Sequence, residues 1–125
     1  MSAARRVVIE SPLRGEVERN VLYADACMLD SLRRGEAPFL GHLLYPRVLD
    51  DAREADREAG IAAHVAWIRG GELVAVYTDL GVTEGMRKAV ALAFSLRMPV
   101  EYRELGPDWL AHVQANAHAT AGFFN

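Results

Sequence analysis

The sequence predicts an α/β fold: a Rossmann-like three-layer sandwich on a mainly parallel sheet of four to five strands. Short β-branched or apolar runs alternate with segments whose apolar residues recur every three or four positions, the pattern of strands alternating with helices. The run LVAVY, Leu73 to Tyr77, is apolar throughout, as a strand covered on both faces must be. At 125 residues, 51% hydrophobic and 25% charged, the chain has the size and composition of one domain with a core of its own, spanning residues 1–125.

Arg5 to Glu10 (RRVVIE) is the first strand, ended by Ser11-Pro12, and the loop SPLRGE follows. From Glu16 the pattern is helical, with Val17, Val21, Ala24, Met28, Leu29 and Leu32 at helical spacing, until Gly35 stops it. Ala37 to Gly41 is a second strand weakened by Pro38, and HLLYPRVLDD is a loop. A second helix runs from Ala52 to Ile68, with Ala55, Ala59, Ala62, Ala63, Val65 and Ile68 near one face. Its early acids and late Arg69 suit the helix dipole, and Gly70-Gly71 ends it. After the Leu73 to Tyr77 strand come a helix from Met86 to Leu96, a strand from Pro99 to Arg103, and a helix capped by Asp108 that reaches Ala119. Residues 107–125 thus form a C-terminal helix and a tail whose Phe123-Phe124 pair is too apolar to hang free, so it is expected to dock on this subunit or a neighbour.

A formal net charge of -3 gives no basic footprint for a nucleic-acid polymer, and Arg5-Arg6 is a short solvated pair. The single cysteine, Cys27, excludes an intrachain disulfide, points to a reducing cytoplasm, and reads as a small buried hydrophobe. No apolar run is long enough to span a bilayer, and no signal-peptide core precedes the first strand. The histidines and acids show no metal-ligand spacing, so no metal and no cofactor are expected.

In parallel sheets, ligands bind beyond the carboxyl ends of the strands, and three loops fall there: Ser11 to Gly15, His42 to Asp51 and Asp79 to Gly85. Ser11, Arg14 and Gly15 offer the hydroxyl, guanidinium and tight turn that bind phosphate or carboxylate; an ordinary turn with a solvated arginine uses the same residues. Asn20, one turn into the helix, either reaches this loop or faces water. His42 and Tyr45 can flank a planar base while Asp50 and Asp51 accept from sugar hydroxyls; the other reading is a structural loop whose acids cap the next helix. The Thr83 hydroxyl with the Gly85 and Met86 amides makes an anion site at a helix start, and Thr83 serves equally as its N-cap. Asp79 and Glu84 are the carboxylates of that loop. His64 reads as a satisfied histidine facing core or interface.

Taken in order, "SPLRGEVERN", "PFLGHLLYPRVLDD" and "VYTDLGVTEGM" resemble the nucleoside 2-deoxyribosyltransferase-like superfamily, most of all a branch common in phages and actinobacteria. The match covers most of residues 7–103. The resemblance implies a nucleoside or nucleotide as small-molecule partner and cleavage of the base–sugar bond of a (deoxy)nucleoside 5′-monophosphate. It implies that Thr83-Glu84-Gly85, with the Ser11 to Gly15 loop, holds the sugar and phosphate, and that His42 and Tyr45 lie near the base. It also implies a homodimer or larger assembly, which Trp109 and the Phe123-Phe124 tail would serve.

The chain departs from the superfamily pattern at its centre. The nucleophilic Glu of the superfamily sits four residues after the glycine of the third loop, and that position is Ala89 here. A second carboxylate of the pattern aligns with His64. A methyl cannot attack C1′ or stabilise an oxocarbenium ion. Three readings stand: a nucleotide-binding relative without catalysis, an enzyme that uses Glu84 or Asp79 in another geometry, or an engineered removal of a Glu at position 89. The functions compared are therefore an N-glycosidase or deoxyribosyltransferase-like enzyme and a non-catalytic sensor or sequestering module for a nucleotide or ADP-ribose-like ligand.

Overall fold

In the computed structural model, residues 3–115 are described. Four strands form one all-parallel sheet: β1 (Arg6–Glu10), β2 (Ala37–Phe39), β3 (Leu73–Tyr77) and β4 (Val100–Arg103). Their order is β2-β1-β3-β4. Alternation along each strand sends Val7, Ile9, Leu73, Ala75 and Tyr77 to one face and Val8, Val74 and Val76 to the other. The first face is covered by α1 (Val17–Arg33) and α5 (Trp109–Ala115), which pack together. Tyr23, Ala24 and Cys27 of α1 supply that core. The second face is covered by Ile68 of α3 (Glu54–Gly70) and by Met86, Ala89, Val90 and Ala93 of α4 (Glu84–Ser95). The result is the three-layer α/β sandwich the sequence predicts.

Pro38 lies in edge strand β2, where a missing N–H costs least. Cys27 is fully buried, and that burial pushes its thiol pKa well up. Two expectations need correction. Residues expected as loop after β2 form α2 (Gly41–Leu44) and a 3-10 turn (Tyr45–Arg47), because Leu40 and Leu43 anchor on the core and Pro46 fixes the turn. Helix α3 starts at Glu54 and not at Ala52: Asp50 Oδ1 accepts the Ala52 N–H in a turn, and Asp56 caps the Asp50 N–H. Trp109 packs edge-on against Tyr23 within the chain, with ring centroids 5.1 Å apart. The Phe123-Phe124 tail lies outside the described residues.

Two polar clusters tie the layers. Arg103 at the end of β4 reaches under α1 and makes a bidentate pair with Glu36, at 2.8 and 2.7 Å. The Arg103 side chain is 2% exposed and that of Glu36 7%. The Tyr77 hydroxyl accepts from Arg103 and donates to Asp30, while Ser31 donates to Glu36. The Arg103 hydrogen bonds hold the Glu36 carboxyl down at about 2, against the opposing effect of burial. Its contribution to stability is therefore present above the ordinary glutamate range and is lost only as pH falls toward 2. Replacing Arg103 by Gln leaves the buried Glu36 with only the half-exposed Arg5 as its cation; urea unfolding at pH 7 is expected to show a loss of about 3 kcal/mol. Arg14→Ala, which removes an exposed ion pair, is expected to change the same measurement by less than about 0.5 kcal/mol.

Candidate functional site

Strand order β2-β1-β3-β4 places a topological switch point between β1 and β3, because the chain leaves β1 toward one edge and returns on its other side. Loops diverge there and leave a crevice at the carboxyl ends. Glu10, the last residue of β1, pairs in register with Val76 and shares the sheet face of Val8. Ser11 follows it. Both are buried, Glu10 at 6% and Ser11 at 5% exposure.

Each of these residues is bonded to a histidine from another element. Glu10 Oε2 accepts from His64 Nε2 of α3 at 2.7 Å, and Ser11 Oγ shares a 2.7 Å hydrogen bond with His42 Nε2 of α2. The hydrogen bond to Glu10 raises the His64 pKa against the effect of burial. Burial first, and the neighbouring His64 second, push His42 down to about 4. At neutral pH the site thus presents a neutral imidazole beside one braced by a carboxylate. Gly41 makes the arrangement possible: a Cβ there would come within 3.2 Å of His64 Nδ1 and 3.3 Å of the Tyr45 ring.

The first two loops are joined directly. Arg14 pairs with Asp51 at 2.7 Å, and both side chains are well exposed. Asn20 reaches the first loop, donating through Nδ2 to the Leu13 and Arg14 carbonyls at 2.9 and 3.0 Å. Its buried Oδ1 has no protein partner. Gly15 takes φ +97, a left-handed conformation that lets the loop turn into α1. Tyr45 is held by an aromatic group: its hydroxyl accepts from Trp67 Nε1 at 2.9 Å, and Phe39 stacks on Trp67 at 4.2 Å.

The third loop is built differently. Thr83 is the N-cap of α4, accepting the Met86 N–H at 3.3 Å, so the Met86 amide is already donated. Gly85 lies in open space, where a Cβ would meet only Thr83 Oγ1 at 3.9 Å. Glu84 is exposed and 3.9 Å from Arg87. Asp79 accepts from the Tyr23 hydroxyl at 2.6 Å and from the Leu105 and Gly106 amides at 2.9–3.0 Å. These bonds hold its carboxyl below the usual range although burial opposes them. Asp79 therefore clasps the end of β3 to the segment after β4. Ala89 is 6% exposed in the apolar layer with Val8, Ile68, Val74 and Val76.

The structure thus brings Ser11, Arg14, Asn20, His42 and Tyr45 around the first two loops and leaves Thr83, Glu84, Gly85 and Met86 at the start of α4. Glu10 and His64 were not among the expected site residues. The signal for Glu10 is an acid closing an otherwise apolar strand; that for His64 is an imidazole in an alanine-rich helix. Neither signal names its partner.

A model of the DUF7768 family, described as a domain of unknown function, matches residues 5–103. The chain belongs to this family. No curated protein matches the DUF7768 chain. Among solved structures, it is similar to the 2-deoxyribosyltransferase of the psychrotolerant bacterium Bacillus psychrosaccharolyticus, with a TM-score of 0.63 at 14% identity, over 82% of this chain and 74% of that one. At that identity the likeness is one of fold. No helix among the described residues of the DUF7768 domain is long and apolar enough to cross a membrane.

Two outcomes follow from the geometry. His42 resists protonation in the folded state, so between about pH 6.5 and pH 4 the unfolded chain binds the extra proton and stability falls as pH falls. His42→Gln is expected to remove on the order of 2 kcal/mol of that pH-dependent loss, read by chemical denaturation at pH 7 and pH 4. Ala89→Glu puts a carboxylate into an apolar layer and is expected to lower stability by about 2 kcal/mol or more in urea unfolding.

Proposed function

We propose that this DUF7768 domain binds a nucleoside or nucleoside 5′-monophosphate at the carboxyl ends of β1 and β3, in a site like that of enzymes acting on the base–sugar bond. The observation that carries the reading is the convergence of Glu10, Ser11, His42 and His64 at the switch point of a sheet with a deoxyribosyltransferase-like fold. Polar groups from β1, α2 and α3 meet where such folds take their ligands.

In this reading the Ser11 to Gly15 loop, with Arg14, faces the sugar and phosphate. The exposed Arg14–Asp51 pair opens cheaply to free the guanidinium for an anion. Thr83 and Gly85 at the start of α4 border the same end of the sheet. His42 and Tyr45 flank the base, Tyr45 through its ring because its hydroxyl is engaged by Trp67. The buried Asn20 Oδ1 is an acceptor suited to a ligand hydroxyl.

One observation favours the alternative of a non-catalytic sensor or sequestering module: position 89 carries a methyl within the apolar layer. Asp79 does not replace it, because both its oxygens are taken, and Glu84 sits at the exposed outer turn of α4.

The test is thermal unfolding across nucleosides, nucleoside 5′-monophosphates and ADP-ribose. A member present at a hundredfold excess over its Kd is expected to stabilise the fold by about 2–3 kcal/mol, seen as a rise in Tm. His42→Ala is expected to abolish the rise. No shift with any member retires the proposal.

A further inference from the structure

Among the described carboxylates at the carboxyl edge of the sheet, most are committed or badly placed. Asp79 accepts three donors from Tyr23, Leu105 and Gly106. Asp51 pairs with Arg14, and Asp50 holds the Ala52 amide. Glu84 faces solvent, and Glu104 lies beyond β4, one strand past the switch point. Glu10 remains. It closes β1 on the same sheet face as Ala89, and its carboxylate is bonded to His64.

The two members of the Glu10–His64 pair differ in access. The Glu10 side chain is 8% exposed and that of His64 25%. A carboxylate accepts only, so His64 donates its Nε2 proton to Glu10 and leaves Nδ1 as its free nitrogen. A buried carboxylate that fixes the tautomer of a more accessible imidazole is the arrangement by which histidine becomes a general base. His42, beside it and depressed by burial, does not compete for the proton at neutral pH.

We propose that His64, positioned by Glu10, is the acid–base residue of this site and activates water for hydrolysis of the base–sugar bond, so that no carboxylate at position 89 is needed. This rests on the nucleoside-binding reading above. Water forms the new O–C1′ bond as the C1′–N bond to the base breaks. The proton of the water goes to His64 Nδ1 and from there to solvent, and the departing base nitrogen takes a proton from solvent. The net change is addition of water, giving free base and the sugar hemiacetal, with no covalent intermediate on the protein. His64 is the catalytic residue and Glu10 a positioning residue.

The experiment measures binding and base release side by side, with the full chain and the nucleosides and 5′-monophosphates used above. Base release is expected from at least one compound that binds. His64→Gln is expected to lower kcat by about a hundredfold or more while leaving Kd within about threefold. Glu10→Gln preserves the contact but not the charge. It is expected to lower kcat about tenfold and to move the acidic limb of the pH–rate profile to lower pH, since the charge that raises the His64 pKa is gone. Glu10→Asp is expected to restore part of the rate. Retained binding shows that a variant is folded, and if His64→Gln does not fold, the pH profile of Glu10→Gln decides. Binding without base release overturns this inference alone, as does a wild-type rate or an unmoved pH profile in the variants. Absence of binding to every compound overturns the nucleoside reading and this inference with it.

Discussion

The buried Arg103–Glu36 pair is the constraint around which this fold closes. Glu36 precedes β2 at one edge of the sheet and Arg103 ends β4 at the other, so their bond spans the strand order that the chain must reach. A guanidinium and a carboxylate out of water are costly unless paired and hydrogen-bonded. Tyr77, Ser31 and Asp30 add hydrogen bonds from β3 and the end of α1, and Arg5 and Glu101 add ion pairs. The native order of strands under α1 brings these groups together.

The carboxyl end of the sheet is organised by a second division of labour. Asp79 and Tyr23 lock β3, α1 and the segment after β4 together, with the Tyr23 hydroxyl accepting the Asp79 amide while it donates to the Asp79 carboxylate. That clasp is part of the frame. A second polar cluster lies on the other side of the switch point, where Glu10 ends β1, Ser11 follows, and the two meet two histidines. Here the polar contacts join α2 and α3 to a strand end, and an exposed ion pair joins the first loop to the second. A rigid floor under loops that open at low cost is what a small-molecule site requires.

Position 89 gains its meaning from this frame. Its side chain projects into the layer that α4 shares with the sheet, among Val8, Val74 and Val76. The methyl is therefore also a packing element, and the same face carries its one strand-end carboxylate at Glu10. That carboxylate is bonded to the more exposed imidazole of His64.

How much of this was legible in the sequence follows from the range of each interaction. The strand LVAVY, the helix from Val17, its stop at Gly35 and the Thr83 cap are local: periodicity, a glycine conformation and a side chain reaching its own backbone determine them. The short helix and 3-10 turn after β2 were not legible, because Leu40 and Leu43 fold that segment only when a core exists to receive them. The sequence by itself determined the α/β class, the single cysteine's lack of a bridging partner, and the loops that follow β1 and β3. Tertiary structure alone decided which polar residues in and around those loops hold the frame and which meet at the switch point. Glu10 and His64 are 54 positions apart, as Tyr23 and Asp79 are 56 apart, and no local pattern relates residues at that distance. Pairing across such a gap follows from where the sheet brings the chain back, and that is settled by the packing of the whole core.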